Sequence, residues 1–368
     1  MNLNYVKIVQ EHNRYKNMTN TITINNNQLS FISAESLLSE NLDSQAKDTY
    51  LRLLDDKDFA PLSCYRLGEI ENRNKNIEKS YYFHKKSFGL DNNLSSKITP
   101  NDHPHHNYKY NDIEEVKIEK CPLCDNSTEL YSCYNIITNI DFIPGFSPIR
   151  KWRICKECNH IFAENYPKNI GDILSATSPD QHLNPNISLL PLLGNKLSEV
   201  KKFTKGNRLL EVGTGAGELT SVAKELLFDI TGIEIRYIYA KNVSERLNIP
   251  IYSIDFMSFE IEKNNLFDII ILGDVLEHVS NPIKMLEKVY SLLNNQGVVW
   301  ISTPNFESAY SYILKDKDPM WRVCEHLNYF SYRSLKKILE KNGFDIVDYK
   351  FSQHYNGCME AAAIKIDK

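Results

Sequence analysis

Two groups of residues in this chain have types and spacings suited to chemistry. The first is a pair of Cys-x-x-Cys motifs, Cys121-Pro-Leu-Cys124 and Cys155-Lys-Glu-Cys158. Each pair can close a tight knuckle whose two thiolates and following backbone amides converge on one ion. Two knuckles complete a tetrahedral, closed, redox-inert zinc site. The competing reading is two coincidental pairs of buried or redox-active thiols. Cys133 and His160 lie nearby in sequence but would overfill a four-ligand site. The second group opens with LLEVGTGAGE, residues 209–218, where an apolar run ends at Glu211 and Gly213, Gly215 and Gly217 follow at alternate positions. Such a segment delivers a buried strand to a tight turn, where the backbone can approach a ligand closely and the N-terminus of the next helix faces it. Its spacing is not G-x-G-x-x-G, which would need a small residue at Glu218, nor a phosphate loop closing on Gly-Lys-Ser/Thr. Phosphate would also call for Lys or Arg, and the turn has neither.

What remains, E-x-G-x-G-x-G, resembles motif I of the class I S-adenosylmethionine (AdoMet) methyltransferases. In a sheet of that kind a ligand lies across the carboxyl ends of the strands, and the resemblance gives each strand end a role. Glu211, with Gly213, Gly215 and Gly217, would meet the cationic amino-acid end of AdoMet. Glu234 would accept the ribose hydroxyls, Asp255 would bond the adenine amine while Phe256 covers the ring, and Gly273-Asp274 would approach the methionine portion. Each acid taken alone could be a strand-end cap or a surface charge. Taken together they form a rim of carboxylates that suits a sulfonium cation.

The resemblance continues downstream. DVLEHVSNP (274–282) and CEHLNYFSYRSLKKILEKNGF (324–344) are similar to segments of a large group of small-molecule methyltransferases. A Cys-x-x-Cys ribbon ahead of such a domain recurs in bacterial sugar methyltransferases, so the resemblance spans residues 115–368. It implies methyl transfer to a sugar or sugar-like metabolite, nucleotide-linked or part of a surface glycan. The large C-terminal domain of deoxysugar C-methyltransferases does not follow, so oxygen or nitrogen is expected as acceptor rather than carbon. Two other readings compete: a protein or RNA methyltransferase that recognises its substrate through the N-terminal segment and the ribbon, and a non-catalytic scaffold. The intact glycines and strand-end acids argue against the scaffold.

Methyl transfer is an in-line displacement, so catalysis is mostly positioning, plus removal of a proton where the acceptor is a hydroxyl. His278, His326 and Glu325 are the catalytic candidates. An imidazole titrates near neutrality and suits a general base. His278 could equally hold the strand–helix turn by a hydrogen bond, which leaves His326 the better candidate. Trp321 and Tyr329 would stack on a sugar ring or close the pocket.

The elements that must position these residues follow from hydrophobic periodicity. Apolar strands at 208–213, 230–235, 249–255, 267–274, 297–304, 344–350 and 360–367 alternate with helical patterns. They predict a doubly wound α/β fold. Seven strands, the last two joined without a helix, resemble the Rossmann-like class I methyltransferase sheet, and that resemblance implies a last strand lying antiparallel between the fifth and sixth. A small zinc-ribbon domain and an N-terminal all-α segment precede the sheet. The expected divisions are 1–94, helical; 95–114, a linker whose His103, His105 and His106 form an exposed run or a metal site; 115–170, the ribbon; and 171–368, the methyltransferase domain. Within the first piece, Gly68, Ser80 and His84 stand 34 residues after Ala34, Ala46 and Tyr50. That period resembles two degenerate tetratricopeptide units able to take a protein partner, the alternative being a plain bundle of amphipathic helices.

Composition narrows the class. At 42% hydrophobic and 24% charged residues the chain reads as globular and soluble. A net charge of −4, with no Arg-rich or aromatic–basic stripe, argues against a nucleic-acid partner. No window reaches the roughly 18 apolar residues of a membrane span. MNLNYVKIVQEHNRYKN has no signal-peptide pattern, and the cytoplasm is the expected compartment.

Overall fold

The computed structural model describes residues 25–176, 184–262 and 265–367. The chain forms two compact units, one made of Met1–Glu115, Leu130–Arg153 and Trp321–Cys324, the other of Val116–Glu129, Ile154–Met320 and Glu325–Lys368.

In the first unit, α1 (Asn26–Ser39), α2 (Asp43–Arg52), α3 (Ala60–Arg73) and α4 (Ile77–Leu90) are paired helices. The starts of α1 and α3 are 34 residues apart, as are those of α2 and α4. Ala34, Ala46 and Tyr50 are fully buried, as are Ser80 and His84. Gly68 has no room for a side chain, because a Cβ there would come within 2.6 Å of the His84 ring. Residues 95–114 are not the free linker expected from their Pro, Asn and His content. Ile98, at the end of the short helix α5 (Ser95–Ile98), is buried, Tyr110 stacks on Phe88 at 4.6 Å, and the His103 and His105 rings bond the Thr138 and Ile140 carbonyls. The histidine run is thus spent on backbone carbonyls. Next to each other lie β1 (Glu129–Asn135) and β2 (Ile149–Cys155).

Among the strands of the second unit are, in chain order, β3 (His160–Ala163), β4 (Arg208–Val212), β5 (Asp229–Ile233), β6 (Ile251–Tyr252), β7 (Phe267–Gly273), β8 (Leu293–Pro304), β9 (Asn328–Tyr329), β10 (Phe344–Phe351) and β11 (Cys358–Lys365). Seven of them make one sheet in the order β10-β11-β8-β7-β4-β5-β6. β11 runs antiparallel between β8 and β10, as expected for the final strand. The period-2 alternation of a strand divides the core cleanly. Leu209, Ile269, Ile271, Val298 and Trp300 face one side and pack with α7 (Leu190–Val200) and α8 (Glu218–Glu225). Leu210, Val212, Ile270, Leu272, Val299 and Ile301 face the other, with α10 (Pro282–Leu292) and α12 (Tyr332–Lys341). Between these helices in sequence lie α9 (Tyr237–Leu247) and α11 (Ala309–Leu314), and α6 (Ile170–Ala176) precedes them all. β6 is shorter than its sequence suggested, because Asp255 turns away to cap a 3₁₀ turn by accepting the Met257 N–H at 2.6 Å.

The division of the chain differs from the expected one. Cys121, Cys155 and Cys158 belong to the same buried cluster as the sheet, beside Phe162, Phe330 and Leu335, whereas residues 130–153 belong to the helical unit. The cysteine knuckles are therefore part of the α/β core rather than a separate small domain.

Candidate functional site

At the end of β4 the chain enters a turn in which Gly213, Gly215 and Gly217 all have positive φ. The reasons for glycine differ along it. A Cβ at Gly217 would lie 2.8 Å from Val243, so protein packing demands glycine there. A Cβ at Gly215 meets nothing within 4 Å, so that backbone faces open space where a ligand can approach. The Gly215 N–H donates to Glu234 Oε2 at 3.0 Å, and the Arg236 N–H donates to Glu234 Oε1 at 3.0 Å. The turn after β4 and the carboxylate after β5 are thereby locked together. Each Glu234 oxygen keeps a second lone pair for a diol. Glu211 is 5% exposed and accepts from the Thr220 hydroxyl at 2.5 Å, and its burial pushes the carboxyl up to about 8.

Asp255 is at the predicted strand end, with its carboxylate occupied as the cap described above. Phe256 departs from expectation. Its ring is buried in the α10/α12 core, and the side chain left exposed beside it is Met257. Gly273 ends β7 opposite Ser302. Asp274 takes the left-handed φ of +53° that Asp tolerates, held by its N–H to the Ser302 carbonyl and by the Ser302 hydroxyl at 2.7 Å.

Beyond Asp274 the acceptor candidates converge. The His278 and His326 rings stand edge to face with centroids 4.8 Å apart. His278 hydrogen-bonds the Glu325 backbone, and burial holds its pKa below the ordinary histidine value, so it is neutral near pH 7. Glu325 lends its carboxylate to Arg236 at 3.1 Å. The buried Glu277, which the sequence reading passed over inside an apolar motif, accepts from Thr303 at 3.0 Å, and burial raises its carboxyl well above the usual range. One ligand atom each from Glu277, His278 and His326 lie within 4.8 Å of one another, a group able to pass a proton or take a cation. Arg236, also missed, joins the two halves of the site. Its N–H binds Glu234, and its guanidinium binds Glu325 and the Leu174 carbonyl. Only a folded sheet brings those positions together, so no local sequence signal marks it.

The aromatic candidates do not line this group. Tyr329 is buried, with its hydroxyl donated to Asp318 at 2.6 Å and its ring edge to face with Phe306. Trp321 belongs to the helical unit, packed against Trp152, Tyr131 and Tyr134. Both are core side chains rather than open stacking surfaces.

The four cysteines meet as their spacing predicted. Cys121 and Cys158 sulfurs are 3.5 Å apart, as are those of Cys124 and Cys155, and all four lie within 4.8 Å of one another. Bonds of about 2.3 Å to a tetrahedral ion require sulfur separations of about 3.8 Å, so the cluster fits one. The Leu123 and Cys124 N–H groups point at the Cys121 sulfur and, with the Cys158 thiol, favour its thiolate. Among the described residues no helix is long and apolar enough to cross a membrane.

Residues 185–349 match a family model described as a methyltransferase domain. A ubiquinone biosynthesis O-methyltransferase of Glaesserella parasuis serovar 5 is 34% identical over 145 residues, which are 37% of this chain and 61% of that protein. Another, of Bordetella avium, is 24% identical over 132 residues, 34% of this chain and 55% of that protein. The chain thus spans less than two thirds of the length of either relative. A solved magnesium protoporphyrin IX methyltransferase from Synechocystis PCC 6803 is 16% identical, covering 48% of this chain and 82% of that one, with a TM-score of 0.40. The cysteine pairs and the helices α1 to α4 lie outside the matched residues.

Proposed function

We propose that this chain, whose residues 185–349 form a class I AdoMet-dependent methyltransferase domain, methylates a hydroxyl of a sugar or sugar-like metabolite. The observation that carries the reading is the Arg236 bridge, which puts the ribose-type carboxylate Glu234 and the Glu325-His326 pair at the two ends of one residue. AdoMet supplies the methyl group. The residues of this chain bind it through the Gly213–Gly217 turn, Glu211, Glu234, Asp255 and Asp274, and they present the acceptor to it. An acceptor hydroxyl forms its new bond to carbon as the sulfur–carbon bond breaks, and its proton passes to His326, with neutral His278 held alongside. Oxygen is favoured by this histidine pair and by the O-methyltransferase names of the relatives. The sugar class is supported by the sequence resemblance of a cysteine ribbon joined to such a domain.

Zinc in the four-thiol cluster is structural on this reading, since four protein ligands leave no open position for water. The 34-residue helical units, tetratricopeptide-like, would serve a protein or glycan-bearing partner. The test is to incubate the full-length protein with AdoMet and a panel of nucleotide-linked sugars and of phenols, then assay S-adenosylhomocysteine (SAH) and methylated product. A sugar carrying a new O-methyl group is the expected product. Turnover of phenols alone would transfer the acceptor to the chemistry in the relatives' names, and failure to bind SAH would overturn the methyltransferase reading. With the acceptor in hand, His326→Ala should lower kcat by about 10²–10⁴-fold while SAH affinity holds. His278→Ala should cost stability more than rate.

A further inference from the structure

We infer that the four-thiol cluster, with its ion bound, positions the acceptor-side histidines through His160 and Asn328. The inference rests on the zinc and methyltransferase readings and gives the knuckle a task within the site.

The path is short and lies within one compact unit. Cys158 is followed by Asn159, in the left-handed region at φ +54°, and then by His160 at the start of β3. The Asn159 carbonyl accepts the Ser331 hydroxyl at 2.8 Å, and its side-chain amide donates to Glu307 at 2.7 Å. β3 pairs antiparallel with β9, Phe162 opposite Asn328 and Ile161 opposite Tyr329, and the Ala163 N–H donates to the Leu327 carbonyl at 2.9 Å. The strand launched by the knuckle is thus the template on which the segment after His326 is laid.

Side chains extend the connection to the second histidine. The Asn328 amide nitrogen donates to the Val279 carbonyl at 2.8 Å, which leaves its oxygen to accept from His160 Nε2 at 3.1 Å. His160 therefore presents its Nε2 proton to that oxygen. Val279 directly follows His278, and the Leu327 N–H donates to the Glu277 carbonyl at 2.8 Å. His160, Asn328 and Ser331 are buried, so water cannot replace these bonds. Lys156 and Glu157 between the knuckle's cysteines are exposed, so what is buried of the knuckle is the pair of cysteines themselves. The bound ion sets the direction of β3, β3 sets the 325–331 segment, and Asn328 ties that segment to the turn holding His278.

The test uses full-length protein with SAH bound, measured by hydrogen–deuterium exchange as purified, after chelation, and after zinc is restored. Amides of 326–330 should exchange at least about tenfold faster without metal and recover with zinc, while β4 and β7 stay protected and SAH affinity stays within about threefold. His160→Leu should loosen the same segment with zinc still bound, and His160→Gln, which keeps a donor, should restore most of the protection. Unchanged exchange at 326–330 after metal loss, or a protected segment in a zinc-loaded His160→Leu protein, overturns the inference while leaving the zinc and methyltransferase readings standing. Loss of SAH binding together with the metal also overturns it, making the ion a staple for the whole unit. A protein that neither contains nor takes up zinc overturns the zinc reading and this inference with it.

Discussion

Glu211 holds its proton up to about pH 8 because burial disfavours the carboxylate. A carboxyl whose folded pKa is raised contributes stability that is present below its unfolded value and is lost as pH rises toward the folded one, here between about 4.5 and 8. A cationic ligand against Glu211 reverses the preference, so AdoMet binding should expel a proton and tighten with rising pH, by up to about tenfold per unit below pH 8. Calorimetry at about pH 6 and pH 8, in buffers of different ionisation heat, checks both the trend and the proton. Glu211→Gln should flatten the profile, and a flat profile in the unaltered protein would separate Glu211 from the ligand. The glycine turn offers a second contrast. Gly215→Ala places a methyl in open space at a cost of about 1–2 kcal/mol for the left-handed backbone, so it should stay folded yet lose tenfold or more in SAH affinity. Gly217→Ala strikes Val243 and should show its defect first in thermal stability.

Among the elements, the Arg236 bridge is the device most open to experiment. Its ion pair with Glu325 is partly exposed and worth about 1 kcal/mol or less to stability, so Arg236→Ala should leave the melting point nearly unchanged. It should instead free α6 and the 325 segment, seen as faster proteolysis there and a several-fold weaker hold on SAH. Intact protection of both segments in that variant would remove the bridge from the site's construction. The sheet around it was legible beforehand, because Leu209/Leu210 and Ile269/Ile270/Ile271 alternate between two buried faces and each run ends in a glycine or an acid. The strand-end positions of Glu211, Glu234, Asp255 and Asp274 follow from the same alternation, whereas His278 and His326 were singled out by the resemblance of their segments to those of methyltransferases. Trp321 and Tyr329 were misplaced because an aromatic residue beside a catalytic motif looks alike whether it faces a ligand or the core. Glu277 and Arg236 escaped notice because their partners are far away in sequence, and Phe256 was expected at the ligand rather than in the core because the alternation lapses where β6 gives way to a turn.

For the molecule as a whole, the cysteine cluster and the core of the sheet are one structure. Analysis of protein purified without chelator should give one zinc per chain, with sulfur distances of about 2.3 Å by X-ray absorption. Cys158→Ser should lower the melting point of the α/β unit's single transition while its sheet stays folded at ordinary temperature, because the cysteines pack with Phe162, Phe330 and Leu335 in the core of the sheet. A low-temperature transition of a separate ribbon, with the main one unmoved, would contradict that continuity.

The route of the chain between its units also bears on how it is made. Polypeptides leave the ribosome N-terminus first and fold as their contacts become available. The helical unit opens the chain, yet Trp321–Cys324 belong to it: the Trp321 carbonyl accepts from Trp152 at 3.1 Å and the Arg322 carbonyl from Asn139 at 2.9 Å. Those acceptors emerge only after every strand of the seven-stranded sheet but the last two. The helical unit is thus completed only after most of the sheet has emerged, and for 169 residues of synthesis after Trp152 and 183 after Asn139 the nascent chain carries these donors without their final acceptors, an interval in which chaperones and proteases can reach it.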